Sequence, residues 1–337
     1  MTAMRAAMLH GPRDLRVERP ESLEPAPGEV IVRVVASGLC GTDYRIWSGD
    51  RPVAYPLVMG HEFIGDIAAV GAGVDGLRAG QRVAVEPNFS CGVCPLCREG
   101  NRNLCLFRTA LGIDTHGGFA EEARLPARCC WPAPPGVGND QLVLAEPLAV
   151  VVRAIARGEV QTGESAAVLG VGALGLLAIQ VLKARGLRVL AVGRTSRRRD
   201  LAQALGADDF ATTEVGGGVT AARAFSGREG VDVVIETAGT ARAVEQALEL
   251  AHPGGRVVLT GLPHESSTVN FFSIVRREIR ILGSMIYREE FPEAVRLLAE
   301  GTVRAEPLIT HRFALERIQE AFAAHQSPDS IKVCVTI

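Results

Sequence analysis

AAVLGVGALGLLAIQ, residues 166–180, joins an apolar run to a helix-forming run through glycines at 170, 172 and 175. The spacing is G-x-G-x-x-G. The first glycine permits a tight turn, the second lets backbone approach a pyrophosphate, and the third lets the helix pack closely on the strand. A helix opening there also offers free amide N–H groups and its positive dipole end to a phosphate. Gly170, Gly172 and Gly175 are therefore candidate dinucleotide-binding residues, against the plainer reading that they serve packing alone.

Downstream the same alternation continues. Apolar runs RVLAVG (188–193), VDVVIETAG (231–239), GRVVLTG (255–261) and REIRILGS (277–284) are separated by helix-like SRRRDLAQALG (196–206) and ARAVEQALELA (241–251). Strands apolar throughout, with helices between them, predict a parallel sheet covered on both faces. Upstream the texture differs, with short apolar runs broken by glycine: VIVRVVASG (30–38), FIGDIAAVGAGV (63–74), QRVAVEP (81–87) and GGFAEEARLP (117–126). That spacing reads as a β-rich domain. The proline- and glycine-dense WPAPPGVGNDQ (131–141) marks a connection into a helix-like 142–157, and ITHRFAL and KVCVTI near the end return to the strand texture. The expected architecture is α/β, a doubly wound parallel sheet at 160–283 set into a β-rich domain formed by 1–159 and 284–337.

The 337 residues carry a formal net charge of -2, with 47% hydrophobic and 22% charged residues. That balance excludes a general electrostatic hold on nucleic acid or an anionic membrane and favours small-molecule chemistry. MTAMRAAMLHGPRDL lacks the apolar core and cleavage site of a secretory leader, and 166–182 is short for a membrane span and interrupted by glycine. A cytoplasmic location is the expectation. Lysine occurs only at Lys183 and Lys332, so arginine supplies almost every fixed cation.

Four of eight cysteines fall in CGVCPLCREGNRNLC: Cys91, Cys94, Cys97 and Cys105. Four thiolates on a turn-rich loop can close a tetrahedral shell around a structural zinc, with an iron–sulfur cluster as the rival. Cys129, Cys130 and Cys334 lack partner spacing and read as packing residues. A second constellation lies upstream, with Cys40 in GLCGTD and His61 and Glu62 in MGHEFIGD. These are ligand types that zinc prefers, and a catalytic zinc needs three protein ligands and one open position. Glu146, in LAEPLAV, is a fourth candidate, although it would also suit the positive end of its helix.

The order GLCGTD, GHE, four-cysteine loop, EPLAV and glycine fingerprint resembles the zinc-containing medium-chain alcohol dehydrogenase family over nearly the whole chain, closest to its polyol (sorbitol-type) and threonine dehydrogenase branch. The resemblance implies a GroES-like catalytic domain beside a Rossmann domain, and a homodimer or homotetramer. It also implies that Cys40, His61 and Glu62 surround a catalytic zinc, while Glu146 binds the ion directly or holds its water. Thr42 would take the alcohol proton, and Asp43 would orient a ligand. Where many members carry a histidine five residues after the ligand cysteine, this chain has Arg45, whose guanidinium cannot cycle protons near neutral pH. Arg45 then contacts an anion or is solvated.

The cofactor is decided at the end of the second strand, where NAD-specific proteins carry an acid for the ribose 2′-hydroxyl. RVLAVGRTSRRR instead has Gly193 followed by Arg194, with Arg198 close behind. Arginines suit a 2′-phosphate, so NADP is expected over NAD. The expected reaction is reversible oxidation of a secondary alcohol, a polyol, sugar acid or similar diol, to a ketone by hydride transfer. L-Threonine or butanediol oxidation is the alternative. A rival of another class is a non-catalytic nucleotide-binding protein with only the structural zinc. Tyr44, Trp47 and Phe107 line the substrate pocket or belong to the core.

Overall fold

The computed structural model describes residues 3–213 and 217–337, so Met1 and Thr2 of the N-terminal stretch lie outside the described residues. The chain divides into two compact units. One comprises Met1–Glu146, Ala294–Ala299 and Ala305–Ile337, the other Pro147–Glu293 and Glu300–Arg304.

The second unit is built on a six-stranded, wholly parallel sheet. Its order is Asp209–Thr212, Arg188–Gly193, Ser165–Leu169, Val231–Glu236, Ala251–Leu259, Arg280–Gly283. The first strand in sequence lies inside and the chain winds outward from it both ways, the doubly wound 3-2-1-4-5-6 order. Ser165–Leu169 is buried at every position, which is why its sequence does not alternate. Leu169, Val192, Val234 and Val257 share one core cluster with Ala243 and Ala247 of the helix Ala241–Leu250. At the amino ends of the strands Asp232 accepts hydrogen bonds from Ser165 N (2.8 Å) and Oγ (2.7 Å), pairs with Arg228 at 2.5 Å, and lies 3.1 Å from His252 Nε2.

The first unit centres on the long strand Glu29–Leu39, which pairs antiparallel with Glu62–Val70, Glu122–Pro126 and Lys332–Thr336. Arg82–Val85 and Cys130–Pro132 extend the seven-stranded sheet on one side, and Ile309–Ala314, parallel to Lys332–Thr336, on the other. The C-terminal strands thus complete the sheet begun by the N-terminal ones. Val30, Val32 and Val34 pack with Phe63, Ile67 and Val83 in one cluster. Leu39, Ile46, Met59, Phe119 and Phe322 form another, joining the helices Gly41–Ser48 and Ile318–His325 to the sheet.

Candidate functional site

Cys40 stands where the strand Glu29–Leu39 gives way to the helix Gly41–Ser48, and His61 immediately precedes, and Glu62 begins, the neighbouring strand Glu62–Val70. Antiparallel pairing sets Gly38 opposite Glu62. Residues some twenty apart in sequence therefore meet at one end of the sheet, where the donor atoms of Cys40, His61 and Glu62 all lie within 4.8 Å of one another. Gly38 leaves room for this arrangement, because a Cβ there would stand 2.3 Å from Glu62 Oε2. The glycine opens a slot in the sheet that the Glu62 carboxylate fills.

The surrounding charges hold these three in place. Asp43 is fully buried, and its Oδ2 accepts from Cys40 N at 2.9 Å while Oδ1 accepts from Gly60 N at 3.3 Å. Oδ1 also lies 3.3 Å from His61 Nδ1, which has no well-aligned hydrogen bond. Burial disfavours the His61 imidazolium, but Asp43 together with Cys40 outweighs it and raises the ring's pKa well above the ordinary value. An acid facing Nδ1 leaves the other ring nitrogen for a metal. Glu146 is buried and exchanges charge interactions with His61, Glu62, Lys332 and Asp43, outside the set of three. Burial, helped by Glu62 and opposed by His61, pushes its carboxyl up to about 7. Thr42 and Arg45 are both partly exposed on the first turns of the helix Gly41–Ser48. The residue that the sequence reading left unused is Lys332, 4% exposed, whose Nζ donates to both oxygens of Glu62 at 2.8 and 2.6 Å. Its signal was a lysine opening an apolar strand in an arginine-rich chain. A soft thiolate, an imidazole and a carboxylate converging in a buried niche fit zinc.

The four loop cysteines also converge. Sγ–Sγ separations are 3.5 Å for Cys94–Cys97 and Cys91–Cys105, and 3.9 Å for Cys94–Cys105. Zn–S bonds of about 2.3 Å in a tetrahedron give edges of about 3.8 Å, so the nest fits one ion and is too tight for a multi-iron cluster. Backbone N–H groups already point at the sulfurs: Cys91 N and Phe107 N donate to Cys105 Sγ at 3.3 Å, and Cys94 N to Cys91 Sγ at 3.4 Å. The backbone amides of Leu106 and Cys97 bring the Cys94 thiol down to about 6, towards the thiolate a metal needs. Cys129, Cys130 and Cys334 are buried, the first two within the valine-rich cluster. Tyr44 and Trp47 pack against the Phe119–Phe322 cluster, while Phe107 is 70% exposed on the cysteine loop.

In the second unit the fingerprint adopts the expected turn. Gly170 has φ +101°, in the left-handed region that favours glycine, and a Cβ on Gly175 would stand 1.8 Å from Gly170 O. Gly172 precedes the helix Ala173–Ala184. Gly193 closes the strand Arg188–Gly193, and a Cβ there would meet Phe210 Cζ at 2.8 Å and Val171 Cγ2 at 2.9 Å, so no acid fits without repacking. Arg194 is exposed beside it. Arg198 Nη1 donates to Val171 O at 2.8 Å, fastening the fingerprint turn. A cavity of about 240 Å³ borders the carboxyl ends of the first two strands, lined by Leu169, Val192, Thr213, Arg242 and Gln246 among others.

Residues 26–135 match the alcohol dehydrogenase GroES-like domain and residues 173–300 the zinc-binding dehydrogenase domain. Sorbitol dehydrogenase of Bacillus subtilis is 32% identical over 94% of this chain and 92% of its own length. L-Threonine 3-dehydrogenase of Pyrococcus horikoshii is 34% identical over 92% of this chain and 91% of its own. Among solved structures, a zinc-binding dehydrogenase of Sinorhizobium meliloti bound to NADP superposes with a TM-score of 0.95 at 33% identity, covering all of both chains. An Escherichia coli alcohol dehydrogenase complexed with NADH gives 0.94 at 32%, again over all of both chains. The paired domains and the full-length likeness establish that this chain belongs to the zinc-binding medium-chain alcohol dehydrogenase family.

Proposed function

We propose that the chain oxidises a secondary alcohol carrying a neighbouring oxygen or amine, reversibly, to the ketone, with NADP as hydride acceptor. The observation that carries this reading is the convergence of Cys40, His61 and Glu62 in one niche, with the buried Glu146 carboxyl interacting electrostatically with His61 and Glu62. Cys40, His61 and Glu62 would hold the catalytic zinc, and Cys91, Cys94, Cys97 and Cys105 a structural one. When bound, zinc lowers the pKa of an alcohol oxygen and NADP accepts the hydride. Asp43 keeps the His61 ring oriented through its buried carboxylate. The Thr42 hydroxyl takes the alcohol proton. The hydroxyl passes its own proton on through water, the cofactor ribose or another group, because a guanidinium at position 45 cannot serve as the next relay. Glu146 stands ready to bind the ion directly or to hold a water against it. The substrate class is supported by relatives named for sorbitol and L-threonine, both of which are secondary alcohols with such a neighbour.

Preference for NADP rests on Gly193, where an acid would require repacking of Phe210 and Val171, and on the exposed Arg194 guanidinium beside it. Gly170, Gly172, Gly175 and Arg198 would seat the pyrophosphate. The functional division proposed is 1–159 and 284–337 for the zinc-bearing catalytic domain and 160–283 for the dinucleotide domain. A homodimer or homotetramer is supported by the open edge of the parallel sheet. There the strand Arg280–Gly283 has Ile281 40% exposed, and the helix Phe271–Arg277 exposes Phe271, Phe272 and Val275 at more than 70%. No helix among the described residues is long and apolar enough to cross a membrane, and a cytoplasmic site of action is part of the proposal. Metal analysis of the purified chain, with a hydride-transfer screen over polyols, sugar acids, vicinal diols and L-threonine, tests the whole. Two zincs and turnover on one class are expected. One zinc and no turnover would leave a nucleotide-binding protein without the chemistry.

A further inference from the structure

Arg45 is a fixed cation beside the proposed chemistry that has no acid of its own. It lies on the helix Gly41–Ser48, three residues after Thr42. Residues so spaced are neighbours on a helix surface, with Cβ atoms about 5–6 Å apart. The rest of the helix faces inward: Asp43 and Ile46 are fully buried, and Tyr44 and Trp47 pack against the Phe119–Phe322 cluster. Thr42 and Arg45, both half-buried, share the flank that this packing leaves. Because Cα–Cβ bonds in a helix tilt towards its N-terminus, Arg45 is set back over the turn that carries Thr42 and follows Cys40.

An arginine in the last turn of a helix ordinarily serves the end of the dipole or a nearby acid. Here both needs are met by other groups. Gly49 N donates to Ile46 O at 3.2 Å, while Arg51 N at 2.9 Å and Ser48 Oγ at 3.1 Å donate to Arg45 O. Asp50 accepts from Ser48 Oγ at 2.8 Å, and Asp43 is turned inward to Cys40 N and Gly60 N. Among the described residues no carboxylate pairs with the Arg45 guanidinium. A guanidinium stays charged at any working pH and offers a planar fork of donors that matches a carboxylate or a phosphate. We propose that Arg45 is a specificity-determining residue. It grips an anionic group, carboxylate or phosphate, borne by the polyol substrate, and so sets the carbinol beside the Thr42 hydroxyl. The inference rests on the reading of the chain as a secondary-alcohol dehydrogenase, and narrows its substrates to aldonates and alditol phosphates.

The test compares kcat/KM of the holoenzyme, at saturating NADP, over a panel of aldonates, alditol phosphates and neutral alditols matched in length and configuration. The best anionic substrate should exceed its neutral counterpart by about tenfold or more, the worth of a charge-assisted hydrogen bond. Whether the aldonate or the phosphate leads identifies the anionic group. Arg45→Gln should erase that advantage chiefly through KM for the alcohol, and Arg45→Lys, which keeps the charge and loses the fork, should restore part of it. Raising the salt concentration should weaken the anionic substrate's KM more than the neutral one's. Titration calorimetry of the same anions into the zinc-loaded chain reads the contact without turnover, and binding lost in Arg45→Gln supports it. A wild type that oxidises the neutral alditol as well as the anionic ones overturns the proposal and leaves the dehydrogenase reading intact. Equal losses on neutral and anionic substrates in Arg45→Gln, or a loss confined to KM for NADP, overturn it too, the latter making Arg45 a cofactor contact. A wild type that oxidises nothing, yet binds the anion through Arg45, keeps the contact and sinks the dehydrogenase reading.

Discussion

Gly38 illustrates how one missing side chain shapes the site. Substituting alanine would set a methyl 2.3 Å from Glu62 Oε2, where Gly38 pairs with Glu62 at one end of the sheet. The carboxylate must then turn aside from the position in which it faces its fellow donors. Gly38→Ala is expected to retain the fold and the zinc of the cysteine loop, to fall from two zincs per chain to one, and to lose activity by about 10–100-fold. Metal analysis beside a circular dichroism melt checks this, and two tightly held zincs would refute it. At the cofactor end, Arg194→Asp should cut kcat/KM with NADP by about tenfold or more, the worth of a charge-assisted bond and of the repulsion that replaces it. NAD should suffer much less. Equal losses with the two cofactors would move the 2′-phosphate contact elsewhere.

At the scale of elements, the parallel sheet is tied at its amino ends by Asp232. This residue joins the strand Ser165–Leu169 to Val231–Glu236 and reaches Arg228 and His252. Burial disfavours the Asp232 carboxylate, yet hydrogen bonds from Ser165 and the Arg228 charge overcome it, holding the carboxyl well below its ordinary 3.8. A depressed folded-state pKa means stability that is fully present above 3.8 and is lost as pH falls from there towards the folded value. Asp232→Asn should therefore lower Tm at neutral pH by about 2–4 °C. The gap to wild type should close as the pH is taken below the unfolded value. A difference of constant size down that series would show that Asp232 acts by shape and not by charge. The helix Ala241–Leu250 has its own local tie, since Thr240 Oγ1 accepts from Ala243 N at 3.2 Å. Thr240→Ala should cost about 1 kcal/mol in a denaturant titration.

For the whole molecule, the exposed edge strand Arg280–Gly283 and the apolar helix beside it leave surface that a monomer rarely carries. Light scattering is expected to give the mass of two or four chains. Val275→Glu, a charge on that surface, should reduce the mass without changing the zinc content, and an unchanged mass would place the interface elsewhere. The order of motifs along the chain determined a great deal on its own. The alternation of apolar runs and helices specified a doubly wound sheet, because strands covered on both faces need no polar residues. The spacing in CGVCPLCREGNRNLC brought four thiols together, since a loop closes locally whatever surrounds it. Tertiary structure decided what depended on strand register. Gly38 makes room for Glu62 only because antiparallel pairing sets them opposite, and Lys332 reaches Glu62 across 270 positions of sequence because the last strand returns beside Glu29–Leu39. Phe107, apolar and next to a candidate metal loop, was legible as an aromatic but not as an exposed one. Local spacing constrains what a short loop can hold, whereas a buried ion pair exists only once distant strands have been placed side by side.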